Sequence, residues 1–583
     1  MPGHGLYHMT ESITVTKKLV QLSQQELSAS NALLEKMPDD EVAVFTIEAC
    51  RALDYWFVHS VFSSDPRQKL SEQDLNIVSR GWNPLMSKVL PRLGKLHGFP
   101  LLESSQETIG AATGELHRLG RHVLLEKTAD LVARKLAVGA TCGDELSIRL
   151  DYSGNTDLFL DQIEDDLLRE LSERMPSGPS WLDIALDEKK LPNLQQKLNS
   201  IVFRFETTRG TLVGYKSTPE IDDHYSSVVL SHVLECCDKS GFHPDAKING
   251  VSASDVTQIV HLLINSRLKH LQLVAAGKHK WPDVNYWMSL SVWKPKGEIV
   301  SLLSGASGID PIIVSIVVDL LTLKPDSAPD LSSDVDPLVP LFIKISDMYL
   351  LEPVGSLFLN PFDIIRRINP DQATSQALME HREGLMLVNV NGLFQGSRYE
   401  CINRPVRLRL SGKTLTDIDA AILDRTTGDL ALFQLKWQDF KGATTKQTIS
   451  RAKNFVEQVQ VWADKISQWI DNQGIDELLK ALRLKKPNNT DEVNVYLFVI
   501  GQMGARFGSY GHKIKRRGLV AATWPQFVRL RYETGPVSNA IRDLHEKIHL
   551  ESSGKISLRP MPFTMETCGV RVHFENLWNE REP

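Results

Sequence analysis

Thr416-Asp417-Ile418-Asp419-Ala420-Ala421-Ile422-Leu423-Asp424 and Asp429-Leu430-Ala431-Leu432-Phe433-Gln434-Leu435-Lys436-Trp437 are two apolar runs joined by Arg425-Thr426-Thr427-Gly428. Two such runs around a short Gly-containing connection predict a β-hairpin. With Arg425–Gly428 as the loop, Asp424 pairs with Asp429, Asp419 with Gln434 and Asp417 with Lys436. Side chains alternate along a strand, and directly paired residues share a face. One face then carries Asp417 and Asp419 beside Gln434 and Lys436, at the end far from the turn. The other carries Ile418, Ala420 and Ile422 against Phe433, Leu435 and Trp437. A slip of one residue would scatter this cluster, so its assembly depends on the turn length.

Two carboxylates, an amide oxygen and a lysine are what a hard-metal site for phosphodiester hydrolysis uses. Asp419, the Gln434 side-chain oxygen and the Leu435 carbonyl are candidate ligands for Mg²⁺ or Mn²⁺. Such a metal lowers the pKa of a bound water and stabilises charge on a phosphate. Lys436 is the candidate to orient or deprotonate that water. The bland alternative is an Asp–Lys ion pair at a hairpin end, which is common and worth little.

Working outward, charge is unevenly spread. The 583 residues carry 66 basic and 72 acidic side chains, but residues 401–583 hold 28 Lys/Arg against 20 Asp/Glu. Ala505–Tyr532 has seven Lys/Arg and no acid, among them Lys513, Lys515, Arg516 and Arg517. A local positive field favours phosphate contacts, and a solvated basic loop is its competing explanation. Ser411-Gly412-Lys413-Thr414 looks like the end of a phosphate-binding loop. Its first glycine would fall at Arg407, and a strand follows where a helix N-terminus is needed.

The length suggests several folding units at roughly 100–200 residues each. Residues 1–150 read as mainly helical, and 151–323 mix helices with strands such as Ile201–Glu206 and Thr211–Tyr215. Lys324–Pro340, with four Pro, four Asp and three Ser in 17 residues, reads as a linker. Ile312–Leu323 is interrupted by Ser315 and Asp319 and too short to span a bilayer. A buried helix is expected there instead, with Asp310 as N-cap and Pro311 in its first turn. Six cysteines lack a regular framework, and the start of the chain lacks a signal-peptide pattern, so a reducing cytoplasmic setting is expected. His232, Cys236, Cys237 and His243 are close in sequence, but adjacent cysteines serve one tetrahedral zinc poorly, and a buried reduced pair is expected.

Asp419, fourteen intervening residues, then Gln434-Leu435-Lys436 resembles the active-site pattern of the PD-(D/E)XK nuclease superfamily. Gln434 in place of the commoner acid resembles the Mrr-like form, Asp…Gln-x-Lys. The resemblance implies a helix, three strands, a helix and a further strand, in a C-terminal restriction-endonuclease-like domain with a central mixed sheet. Thr374–Leu387 would supply the first helix, Ser397–Leu410 the first strand, and 416–437 the next two. Thr445–Ile470, with Ile449, Ala452, Phe455, Val456, Val459, Trp462, Ile466 and Trp469 on one face, would be the second helix. Glu492–Gly501 would be the buried last strand.

The fold class expected is thus multidomain α+β: mainly helical N-terminal regions, a nuclease-like domain at 341–535 and an extension at 536–583. The resemblance implies a Mg²⁺-dependent DNA endonuclease, with RNA still open, in a restriction or anti-phage setting with a homo-oligomer or defence-system partner protein. Its accessory candidates are Asp417, Glu380, Glu383 and Gln458, the last from Gln458-x-x-x-Trp462. Lys446 and Lys453 are further candidates for the DNA backbone. A catalytically silent fold serving as a scaffold for nucleic acid or a partner is the alternative.

Overall fold

The computed structural model describes residues 3–62, 70–93, 105–150, 193–207, 210–242, 245–327, 331, 337–369, 382–437, 445–487, 492–502, 504–505, 512–535, 537, 539–553 and 558–581. The chain is mixed α/β, with helices dominating its first part and mixed sheets its last. It divides into two compact units. The first comprises Met1–Asp130, Ser177–Met379 and Met565–Arg571, and the second Leu131–Pro176, Glu380–Thr564 and Val572–Pro583.

The first unit is built around the helix Ala253–Lys280, whose N-cap Ser252 accepts from Asp255 N at 3.1 Å. Hairpin strands Val202–Thr207 and Gly210–Tyr215 stand close to the positions read from sequence. Helix Pro311–Leu320 has the expected start: Asp310 Oδ1 accepts from Ile312 N at 2.7 Å, and Pro311 occupies the first turn. Val314, Val317 and Val318 on it are buried, while Ile312 is exposed. Cys236 and Cys237 are buried, with Cys236 Sγ 3.6 Å from His232 Nε2; His243 lies outside the described residues.

The division expected at Lys324–Pro340 is not the observed one. That segment falls inside the first unit, where Leu331, Leu338 and Val339 are buried. Trp82 Nε1 donates to the Leu338 carbonyl at 2.8 Å, and Leu338 N donates to Asn83 Oδ1 at 2.8 Å. Residues expected in separate N-terminal and middle domains therefore share one unit: Val58 packs in the same core as Leu268 and Phe342.

The second unit contains the hairpin. Its elements are α1 (Arg382–Gly392), β1 (Tyr399–Cys401), β2 (Val406–Leu410), β3 (Lys413–Ile418), β4 (Ala420–Asp424) and β5 (Asp429–Lys436). These are followed by α2 (Thr445–Gln473), α3 (Ile475–Leu482), β6 (Asn494–Gly501), β7 (Leu519–Thr523), α4 (Trp524–Thr534) and α5 (Ala540–Ser553). The central sheet has the order β1-β4-β5-β6-β7. The β1–β4 and β4–β5 pairs are antiparallel; β5–β6 and β6–β7 are parallel. Both faces are covered, so β4 and β5 read as nearly continuous apolar runs.

Helices α2 and α3 cover one face, where Phe455, Val459 and Ile466 meet Ala421, Leu423, Leu430 and Leu432. Helices α1, α4 and α5 cover the other, where Phe527, Leu544 and Ile548 meet Ile422, Phe433 and Phe498. The segment 536–583 is thus no mere extension, because α5 supplies part of this core. Likewise, the single strand expected over Ser397–Leu410 is two strands in two sheets. Pro405 lies between them, lacking the N–H a continuous ladder needs. The expected Thr374–Leu387 helix lies partly outside the described residues, and α1 begins at Arg382.

Candidate active site

The β4–β5 register is the one that the four-residue loop dictates: Ala420 opposite Phe433, Ile422 opposite Ala431 and Leu423 opposite Leu430. Gly428, at φ 76°, closes the turn by donating its N–H to the Asp424 carbonyl at 2.9 Å. At this turn end, Asp424 Oδ2 accepts from Arg398 Nε at 2.9 Å, and Oδ1 accepts from Thr426 N at 3.0 Å. Burial alone would raise the Asp424 pKa, but the bonds from Arg398 and Thr426 outweigh it and hold the group below the usual carboxylate range.

At the other end the chain bends at Asp419. Asp419 N still donates to the Phe433 carbonyl at 3.0 Å, so the ladder reaches this residue. Beyond it β3 leaves the sheet to pair with β2. Among the described residues, Leu435 is thereby left without a strand neighbour on that side, and the Asp419 side chain takes the place of one. Asp419 Oδ2 accepts from Leu435 N at 2.7 Å and from Gln434 Nε2. Both side chains are buried, Asp419 at 5 % exposure and Gln434 at 6 %. Lys436 follows at the half-exposed end of β5, its carbonyl accepting from Gln502 N at 2.9 Å.

Asp417, expected beside Asp419 and Lys436, is not there. The bend carries it into β3, where it lies opposite Arg407 and is exposed. Ile418 changes sides for the same reason and packs with the α2 face rather than with Ala420 and Phe433. Glu380 lies outside the described residues, as does the side chain of Glu383 on α1. Gln458 is exposed on α2, and its side chain makes no hydrogen bond with a described residue. Its companion Trp462 is the tie instead: buried, with Nε1 donating to the Asp417 carbonyl at 2.7 Å.

Among the proposed phosphate contacts, Lys446 and Lys453 are exposed on α2, with Lys453 Nζ 3.8 Å from Glu457. Lys513, Lys515 and Arg517 are exposed. Arg516 is engaged in packing, its Nε 2.8 Å from Asp464 Oδ1 and its Nη2 donating to Ser467 Oγ at 2.7 Å. Ser411 and Gly412, the apparent phosphate-loop residues, form the turn between β2 and β3, with φ 51° and 80°.

A hard cation takes oxygen ligands. Among the described residues, this corner offers the Asp419 carboxylate, the Leu435 carbonyl, and Gln434 Oε1 once its amide turns over. The Leu435 carbonyl shares its strand edge with the N–H that Asp419 holds. Among the described residues, no group of three or more His, Cys, Asp or Glu stands together as a ligand cluster. The set is therefore one carboxylate, one amide and one backbone oxygen, which fits a divalent cation that keeps several waters.

The sequence placed Trp462 and Trp469 on the apolar face of α2, but not the indole bonds by which they hold β2 and β3, and it gave no role to the arginines of β2. The alternation Val406-Arg407-Leu408-Arg409-Leu410 was the available signal for a strand with one buried and one solvent face. No family model, curated protein or solved structure matches the chain.

Proposed function

We propose that the second unit is a Mg²⁺-dependent nuclease that hydrolyses phosphodiester bonds in DNA. The observation that carries this reading is the Asp419 carboxylate held by Gln434 Nε2 and the Leu435 N–H at one sheet end, with Lys436 the next residue along β5. The element order α1, β1, β4, β5, α2, β6 agrees with a restriction-endonuclease-like core, the hairpin β2–β3 being an insertion.

A bound Mg²⁺ would supply a water of lowered pKa and positive charge for the phosphate. Asp419 and the Leu435 carbonyl would hold it, with Gln434 turned so that its oxygen replaces its amide nitrogen. Lys436, next along β5, places an ammonium at the half-exposed rim, where it neutralises charge developing on the phosphate. The bond to Leu435 fixes the Asp419 rotamer in advance, so the carboxylate needs no reordering when substrate arrives.

A second reading, a silent nuclease fold that binds nucleic acid, is favoured by one observation: Gln434 presents its amide nitrogen, not a ligand oxygen, to Asp419. Plasmid and linear DNA cleavage in Mg²⁺ and in Mn²⁺, with wild type beside Lys436→Ala, tests the two. Metal-dependent cutting that Lys436→Ala abolishes supports the nuclease. Binding without cutting by wild type supports the silent fold. A role in restriction or anti-phage defence is an extension of the resemblance to Mrr-like enzymes.

A further inference from the structure

The hairpin inserted between β1 and β4 has two unlike faces. β2 and β3 pair antiparallel, with Arg407 opposite Asp417 and Arg409 opposite Thr414, and all four of these residues are exposed. Arg404 just before β2 and Lys413 just after the turn are exposed as well. Underneath, Leu408 and Ile418 are buried and Val406, Leu410 and Leu415 pack beside them against α2. Two indoles pin the ribbon: Trp469 Nε1 donates to the Arg409 carbonyl at 2.9 Å, and Trp462 Nε1 to that of Asp417. The ribbon is therefore held flat on α2 at both ends, with its arginines turned to solvent.

Among the described residues, none of Arg404, Arg407, Arg409 and Lys413 forms an ion pair, and Asp417 is the single acid in β2 and β3. Such a face attracts a polyanion. We infer that the β2–β3 ribbon grips the phosphate backbone of duplex DNA, with Arg407 and Arg409 as the principal contacts. The inference rests on the nuclease reading for what it feeds, since β3 runs directly into the bend at Asp419. Duplex DNA is the occupant because it is the substrate proposed for the site into which β3 runs; phosphate contacts alone do not separate it from RNA, which the test below does. Arg407 and Arg409, two residues apart, are separated by about 6.8 Å along an antiparallel strand, enough to meet separate phosphates.

The test is fluorescence anisotropy of a labelled duplex with the full chain in EDTA, over a series of salt concentrations. EDTA removes catalysis from the readout, so this outcome is separate from that of the cleavage assay. Arg407→Ala with Arg409→Ala should weaken binding about 10-fold or more and reduce the slope of log affinity against log salt by nearly two. The double Lys variant should keep most of the slope, and Asp417→Ala should tighten binding. All the changed side chains are exposed, and unchanged melting curves would confirm intact folding. Unchanged affinity and slope in the double Ala variant would overturn the inference, as would a wild type that binds no duplex or prefers RNA. Lost binding in that variant alongside cutting that survives Asp419→Ala would sink the assigned active site while leaving the ribbon standing.

Discussion

Leu435 donates its backbone N–H to the carboxylate of Asp419 at 2.7 Å, a side chain standing in for the strand that leaves the sheet one residue earlier. This substitution couples the local fold to the chemistry. The bend that releases β3 from β5 also presents the carboxylate, so the geometry of the site depends on whatever holds β3 away.

That hold is in part Trp462. Trp462→Phe keeps most of the ring and loses the Nε1 bond to the Asp417 carbonyl. The expected stability loss is about 1 kcal/mol, the net worth of one hydrogen bond. Cleavage should fall further than stability implies, because the bend at Asp419 loosens. Urea unfolding and single-turnover cleavage of the same preparation measure the two effects.

Gln434→Glu sets a second carboxylate against Asp419. Without metal the two repel and share a proton, so the variant should melt at lower temperature than wild type in EDTA. With Mg²⁺ the extra charge strengthens the ligand set, and half-maximal cleavage should need about 10-fold less metal. Thermal melts with and without Mg²⁺ and a metal titration of the rate check both signs.

Arg398→Met leaves the Asp424 carboxylate buried without its guanidinium. The expected loss is about 3 kcal/mol, typical of an orphaned buried charge. In wild type the folded pKa of Asp424 is lowered, so its stabilisation is present above the unfolded value of about 3.9 and disappears as pH falls through the folded one. Unfolding free energies from pH 6 to pH 3 should fall for wild type and change less for the variant.

In the first unit Asp54 behaves oppositely. Burial pushes it up to about 7, against the N–H bonds from Gly355 at 2.6 Å and Val354 at 3.0 Å and the nearby charge of Arg267. A raised carboxylate contributes stability fully below about pH 3.9, and that contribution is lost as pH rises through about 7. Asp54→Asn should flatten this dependence. It should also lower absolute stability, since its amide nitrogen must face one of those two N–H groups. Denaturant midpoints between pH 5 and pH 8 test the change in slope.

The hairpin was legible because the loop length and the alternation of apolar residues on both sides admit one register. Ala420 through Leu423 pair as that arithmetic requires. The departure of β3 was not legible. It depends on the Trp462 indole, 45 residues away, and on β2 offering a second strand partner. Asp417 was therefore expected at the site, and the arginines of β2 were overlooked. The Pro, Asp and Ser content of Lys324–Pro340 is that of a linker. Burial of Leu338 under Trp82 is a contact between residues more than 250 positions apart, beyond any local pattern.

The decisive measurement is cleavage by Asp419→Ala, with duplex binding measured in the same preparation. Mg²⁺-dependent cutting should fall at least about 100-fold, as when one group stabilising transition-state charge is removed, while binding in EDTA through the ribbon should stay near that of wild type. Cutting at the wild-type rate by Asp419→Ala would contradict the assigned active site.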